Sequence, residues 1–166
     1  PINTFTLNGG SVNIADGSVN TLHIHQLNLT GNTNFTMDAD LAAEEMDKIQ
    51  IHDTENSIIT SDKVININKI NLLSATTKDK VSLDLFADDT TKEALKDNVS
   101  GNLSGLKYSP TYIYDANYDS TTGQMIFTRT EQANPYLYAP STMAQTTASM
   151  TGQISGLAMN QLDSSI

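Results

Sequence analysis

The chain has no cysteine, only one arginine, and no long apolar run, and each absence removes a class of function. Without cysteine there is no disulfide framework, no thiolate metal site and no thiol nucleophile. The same lack suits a protein exported across an envelope unfolded. Nine basic residues against nineteen acidic ones leave a formal net charge of −10. Such a chain is a poor binder of phosphate or nucleic acid and is repelled by anionic lipid. No stretch approaches the roughly 18–20 apolar residues of a transmembrane helix. Gly-x-Ser-x-Gly, His-Glu-x-x-His and phosphate-cradling glycine loops are missing as well. The chain opens at Pro1 without an initiator methionine or signal-peptide pattern, already in a strand-like stretch, as expected of a processed or truncated piece.

What is present is polar and small. Asn, Thr and Ser (16, 21 and 15 residues) make up nearly a third of the 166 residues, a size that suits one domain. Disorder does not follow, because Ile, Val and Leu alternate with polar residues from Asn3 to about Phe86. Thr4-Phe5-Thr6-Leu7 precedes the turn Asn8-Gly9-Gly10, and Ser11-Val12-Asn13-Ile14 precedes Asp16-Gly17. Leu22, Ile24, Leu27 and Leu29 follow, then Phe35 and Met37, Ile49 and Ile51, Ile58-Ile59, Val64 to Leu72, and Val81 to Leu85. Period-two runs punctuated by Gly, Asn, Asp and Ser are strand signals.

The runs resemble one another. LHIHQ at 22–26 aligns with IQIHD at 49–53, and INKIN at 67–71 repeats the pattern loosely. Units this short cannot bury an apolar face alone, so they must stack. The fold expected is all-β: a right-handed parallel β-solenoid, or β-helix, with a C-terminal β-hairpin cap and a C-terminal α-helix. Polar side chains on its outer faces are expected to form ladders between successive rungs. An open sandwich is the competing architecture.

Asp88 to Lys96 predicts one helical turn or a loop. Tyr112 to Asp115, a turn through Asp119 to Gly123, and Met125 to Thr128 predict the hairpin. Beyond Pro140, Met143, Met150, Ile154 and Leu157 fall on one face of a slim helix carrying Gly152 and Gly156. The division expected is a solenoid with hairpin cap over 1–130, then a linker and amphipathic helical tail over 131–166.

Candidate chemistry is sparse. His23-Ile24-His25 places two imidazoles on one strand face, and the 27-residue alignment puts His52 over His25. Three histidines there would suit a metal. Outward, solvated ladder residues are the favoured explanation, and no metal ligand, catalytic residue or cofactor-binding residue is assigned. Asp115 to Asp119 opens like a calcium loop, but Ser120 and Ile126 replace the glycine and glutamate such a loop needs. Asp84, Asp88 and Asp89 read as a solvated loop. Asp38 and Asp40 share a strand face, as carboxylate pairs of sugar-cleaving β-helices do, yet Arg129 is distant in sequence; the pair reads as a turn and solubility feature. Asn28, Asn34, Asn98 and Asn102 open glycosylation sequons, which an Asn- and Thr-rich chain produces by chance.

LNLTGNTNFTMDADLAAEEMDKIQI (27–51), VININKINLLS (64–74) and VSLDLFADD (81–89) resemble the C-terminal part of a bacterial autotransporter passenger, the parallel β-helix of type V secretion. The hairpin YIYDANYDSTTGQMIFTR and the tail NPYLYAPSTMAQTTASMTGQISGLAMNQLD are similar to the junction before such a protein's membrane barrel. The resemblance implies a non-enzymatic structural protein at the cell surface or outside a Gram-negative cell, acting as stalk, adhesin part or self-assembling filament subunit. It implies self-association through solenoid ends or the tail helix, contact with a host surface or glycan, no cofactor and no nucleic acid. No barrel follows Ile166, so insertion of this piece into a membrane is not implied. The alternative expectation is a carbohydrate-binding or carbohydrate-cleaving β-helix.

Overall fold

The computed structural model describes residues 2–130. The linker and tail helix expected over 131–166 lie outside the described residues. Within them the chain is mostly β, with two parallel sheets, one antiparallel sheet and one short helix. The strands are β1 (Ile2–Asn8), β2 (Ser11–Asn13), β3 (Thr21–Gly31), β4 (Thr33–Asp40), β5 (Glu45–Met46), β6 (Lys48–Ile51), β7 (Ile58–Ile59), β8 (Ile65–Ser74) and β9 (Lys80–Asp84). Helix α1 (Asp89–Leu95) follows, then β10 (Val99–Ser100), β11 (Asn102–Ser109), β12 (Tyr112–Asp119) and β13 (Gln124–Arg129).

The chain passes alternately through the two parallel sheets. In the first, β1, β3 and β6 lie side by side, and β7 also pairs with β3. In the second the order is β10-β8-β4-β2, with β5 antiparallel to β4. Successive passes therefore stack apolar side chains in register: Leu7, Leu29 and Ile59 in one sheet, Val12, Phe35 and Ile67 in the other. The inward alternation of β3 and β4 dictates this, since Leu27, Leu29, Phe35 and Met37 are all buried. The outer positions form the expected ladders. Asn66 donates to Asn34 (3.1 Å), Ser100 to Asn66 (3.0 Å), and Gln26 to Asp53 (3.3 Å).

The 27-residue alignment holds at the start of β6, where Leu22 pairs with Ile49 and Ile24 with Ile51. It does not persist. Residues 52–57 bulge before β7, and Ser57 Oγ replaces a backbone acceptor for the Leu27 amide (2.9 Å), thirty residues away. INKIN is a correction: it lies in β8 of the second sheet, with Ile67 beside Phe35 and Ile70 beside Met37. Apolar alternation reports that a residue faces inward; it carries no label for which sheet receives the strand.

One turn depends on glycine. Gly9 and Gly10 join β1 to β2 at φ +103° and +73°, a region costly for other residues. A different constraint acts at Gly31, where the register of β1 on β3 slips beside Asn8. A Cβ there would stand 2.9 Å from the Asn8 carbonyl carbon and 3.0 Å from its Cα. Gly31→Ala is expected to cost about 1–3 kcal/mol in urea unfolding, because the Asn8 backbone must yield as well as its side-chain oxygen.

The antiparallel sheet, in order β11-β12-β13-β9, contains the hairpin expected from Tyr112 to Thr128. Its Val81, Leu83, Tyr114, Ala116, Met125 and Phe127 belong to the same buried cluster as the parallel sheets. Two tyrosine hydroxyls secure loops around it: Tyr114 donates to the Thr76 carbonyl and accepts from its amide (both 2.9 Å), and Tyr118 donates to the Lys96 carbonyl (2.7 Å). Helix α1 forms where one turn was expected. Asp88 caps it by accepting from the Thr91 amide, and Thr91 Oγ1 accepts the otherwise unpaired Ile51 amide (3.0 Å) at the edge of β6. Beside it, Phe86 bridges Ile49 in parallel. At the opposite side of the stack, no described strand pairs with the outer edges of β1 or β2.

Candidate functional site

The outer face of the first parallel sheet gathers the histidines. Ile24 is buried, so its neighbours His23 and His25 project outward. His23 Nδ1 lies 3.3 Å from His52 Nε2. Their rings are 26° from parallel with centroids 5.5 Å apart. That separation is close to the nitrogen–nitrogen distance plus two ring radii, so the imidazoles meet edge to edge. The expected pairing of His25 with His52 is corrected here. The backbone register agrees, since the His52 amide donates to Ile24 (2.8 Å) and the Asp53 amide to His25 (2.7 Å). But β6 ends at Ile51, and the chain bends at His52 so that its ring reaches back to His23.

The polar column continues beyond the histidines. Gln50 sits beside His23 in register and donates to Asp88 (3.0 Å). The Asp88 carboxyl is held below the usual carboxylate range, chiefly by hydrogen bonds from Thr91, then by Gln50, with nearby His52 adding to the effect.

A second cluster is buried. Asp38 and Asp47 are both fully inaccessible, which corrects the reading of Asp38 as a solubility feature. Asp38 does share the outer face of β4 with Asp40, but the loop after β2 closes over it. Its carboxylate accepts from the Asp16 and Gly17 amides (2.8 and 2.9 Å) and from the Asn71 side chain (2.8 Å). Asp47 accepts from the amides of Asn20 and Asp38 (both 2.8 Å). Burial pushes the Asp47 carboxyl above the usual range, and the charges of Asp38 and Asp16 add to this. These carboxylates fasten neighbouring passes, through backbone amides of Asp16, Gly17, Asn20 and Asp38 and through the Asn71 side chain. The Asp16-Gly17 turn is legible in the sequence, but nothing there signals that the loop would bury Asp38.

The remaining candidates have local roles. Asp115 and Asp119 lie on β12, paired with Thr128 and Gln124. Asp84 accepts from Gln124, Asp88 caps α1, and Asp89 lies 4.0 Å from Lys92. Arg129 stacks over Tyr112, 4.6 Å from its centroid, remote from both Asp clusters in the fold's pairing. Asn34 holds a ladder bond, and Asn98 is buried, donating to the carbonyls of Thr60 and Lys63. A surface recess of about 520 Å³ beside α1 is lined by Thr54, Asp89, Thr90, Glu93 and Ala94 and has no aromatic ring for a sugar to stack on. Among the described residues, no three metal-ligating side chains converge.

No family model, curated protein or solved structure matches the chain. What the site can do therefore rests on its own chemistry: polar ladders on the outside, amide-bound carboxylates within, and one exposed imidazole pair.

Proposed function

We propose that residues 2–130 form the end of a β-solenoid serving as a structural segment of a displayed, autotransporter-like surface protein. The observation that supports this is the pass-by-pass register. Each pass lies parallel to its predecessor in both sheets, and each contributes one apolar column to the core and one polar ladder to the outside. Such a stack transmits length without needing a reactive centre, as a stalk requires.

The two sides of the stack differ. Beyond β6 and β8, α1, β10 and the antiparallel sheet occupy the core cluster or the sheet edges, which is the arrangement of a cap. Among the described residues no strand pairs with the outer edges of β1 and β2, and residues 1–15 contain no charged side chain. Natural sheets protect exposed edges with charge, most often lysine. A capped side favours a stalk over a filament subunit, because head-to-tail growth needs two open ends.

Antibodies raised against residues 2–130 test the display reading on intact source cells. Labelling of intact cells, lost after external protease treatment, is the expected result. Labelling only after lysis overturns the proposal.

A further inference from the structure

We propose that His23 and His52 form a two-point binding site for a borderline transition-metal ion of the Zn²⁺, Cu²⁺ or Ni²⁺ class, fastening successive passes of the first sheet. The pair is not the His23-Ile24-His25 motif that the sequence advertises. It is assembled across strands, by the bend at His52.

Distance is the first argument. A tetrahedral zinc ion with metal–nitrogen bonds of about 2.0–2.1 Å has ligand nitrogens about 3.3–3.4 Å apart. His23 Nδ1 and His52 Nε2 stand 3.3 Å apart. The near-parallel, edge-to-edge rings direct both nitrogens into one space. In the metal-free chain the same geometry holds an N–H···N hydrogen bond; on binding, that proton moves through water to the other nitrogen of its own ring, and the two facing nitrogens of neutral imidazoles ligate the ion, which sits off the line between them.

Rigidity is the second. His23 lies within β3, flanked by β1 and β6, and the His52 amide is tied to the Ile24 carbonyl (2.8 Å). Neither imidazole has to be gathered from a loose loop, so little ordering cost opposes binding. Both rings are exposed, leaving water to complete the coordination. Imidazole selects Zn²⁺, Cu²⁺ and Ni²⁺ over the oxygen-seeking Ca²⁺ and Mg²⁺. Asp88 contributes negative charge near His52 while its oxygens serve Thr91 and Gln50. The chain's net charge of −10 favours cation approach.

Titration of the untagged chain with ZnCl₂, and then with NiCl₂ and CuCl₂, by isothermal calorimetry is the test. One site per chain is expected for zinc. His23→Ala and His52→Ala should each weaken it at least about tenfold, while His25→Ala, which leaves the pair intact, should change it by less than about twofold. All three side chains project outward, and unchanged circular dichroism verifies the fold of each variant. The chain's only histidines are these three, so no other imidazole competes. Absence of binding by all three ions overturns the proposal, as does a loss that follows His25 instead of His23 and His52.

Discussion

Asp47→Ala is expected to lower the unfolding free energy by about 2–3 kcal/mol, because it strands one buried amide and one part-buried amide that now donate to one carboxylate. Those amides belong to Asn20 and Asp38, on different passes. The loss is partly offset, since a buried carboxylate beside Asp38 and Asp16 is itself costly to keep charged. Chemical denaturation at neutral pH measures the net effect, and a change below about 1 kcal/mol would show that water replaces the carboxylate freely. The pH dependence separates the two contributions. Asp47 holds its proton more tightly folded than unfolded, so its own contribution to stability is greatest in acid and is lost as pH rises through its folded pKa. Relative to Asp47→Asn, the wild-type chain should therefore lose ground between acid and neutral pH. Asp40, Asp53 and Asp88 act in the opposite sense. Hydrogen bonds lower their pKa values, so their contributions are present above the unfolded pKa and fade as pH falls through the folded one.

Phe35→Ala should be more damaging, costing about 3–5 kcal/mol, because the ring is fully buried between the strands on either side. Val12 and Ile67 flank it in register. Both are branched aliphatic residues held by paired strands, so neither is placed to collapse into the space the ring leaves. A domain with an ordinary reserve of about 5–15 kcal/mol would retain only a fraction of it. The denaturation midpoint should fall steeply with little change in slope; a loss below about 1.5 kcal/mol would mean the interior relaxes far more than its packing suggests. Phe35→Leu, which keeps the position apolar, should recover most of the difference.

Much of the fold was legible because burial on one face leaves a period of two. Leu27 and Leu29 on β3, Phe35 and Met37 on β4, and Val81 and Leu83 on β9 were all marked by alternation, whereas Ile24 lies three residues before Leu27, out of that period. The hairpin was legible from Asp119 to Gly123, where Gly123 takes φ +69°. Strand β11 was not. Its residues Asn102 to Ser109 are exposed or half-buried and include Gly105, so pairing with β12 rather than an apolar face makes it a strand. The histidine pair was half legible. Backbone register follows from the matching segments, but ring direction depends on where β6 ends, and Ile51-His52-Asp53 carries no strong stop signal. Buried Asp38 was the least legible of all. A strand-face aspartate reads as exposed unless the distant loop at Asp16-Gly17 is known to fold over it.

The uncharged edges of β1 and β2 also bear on how the purified chain behaves when concentrated. Repulsion from a net charge of −10 acts between whole molecules and is screened by salt within about 10 Å at 0.1 M. Once two molecules approach at that range, no charged side chain along Ile2 to Ile14 adds a local repulsion. Colloidal stability should then be governed by ionic strength more than by concentration, with salt removing the one barrier that the edge itself lacks.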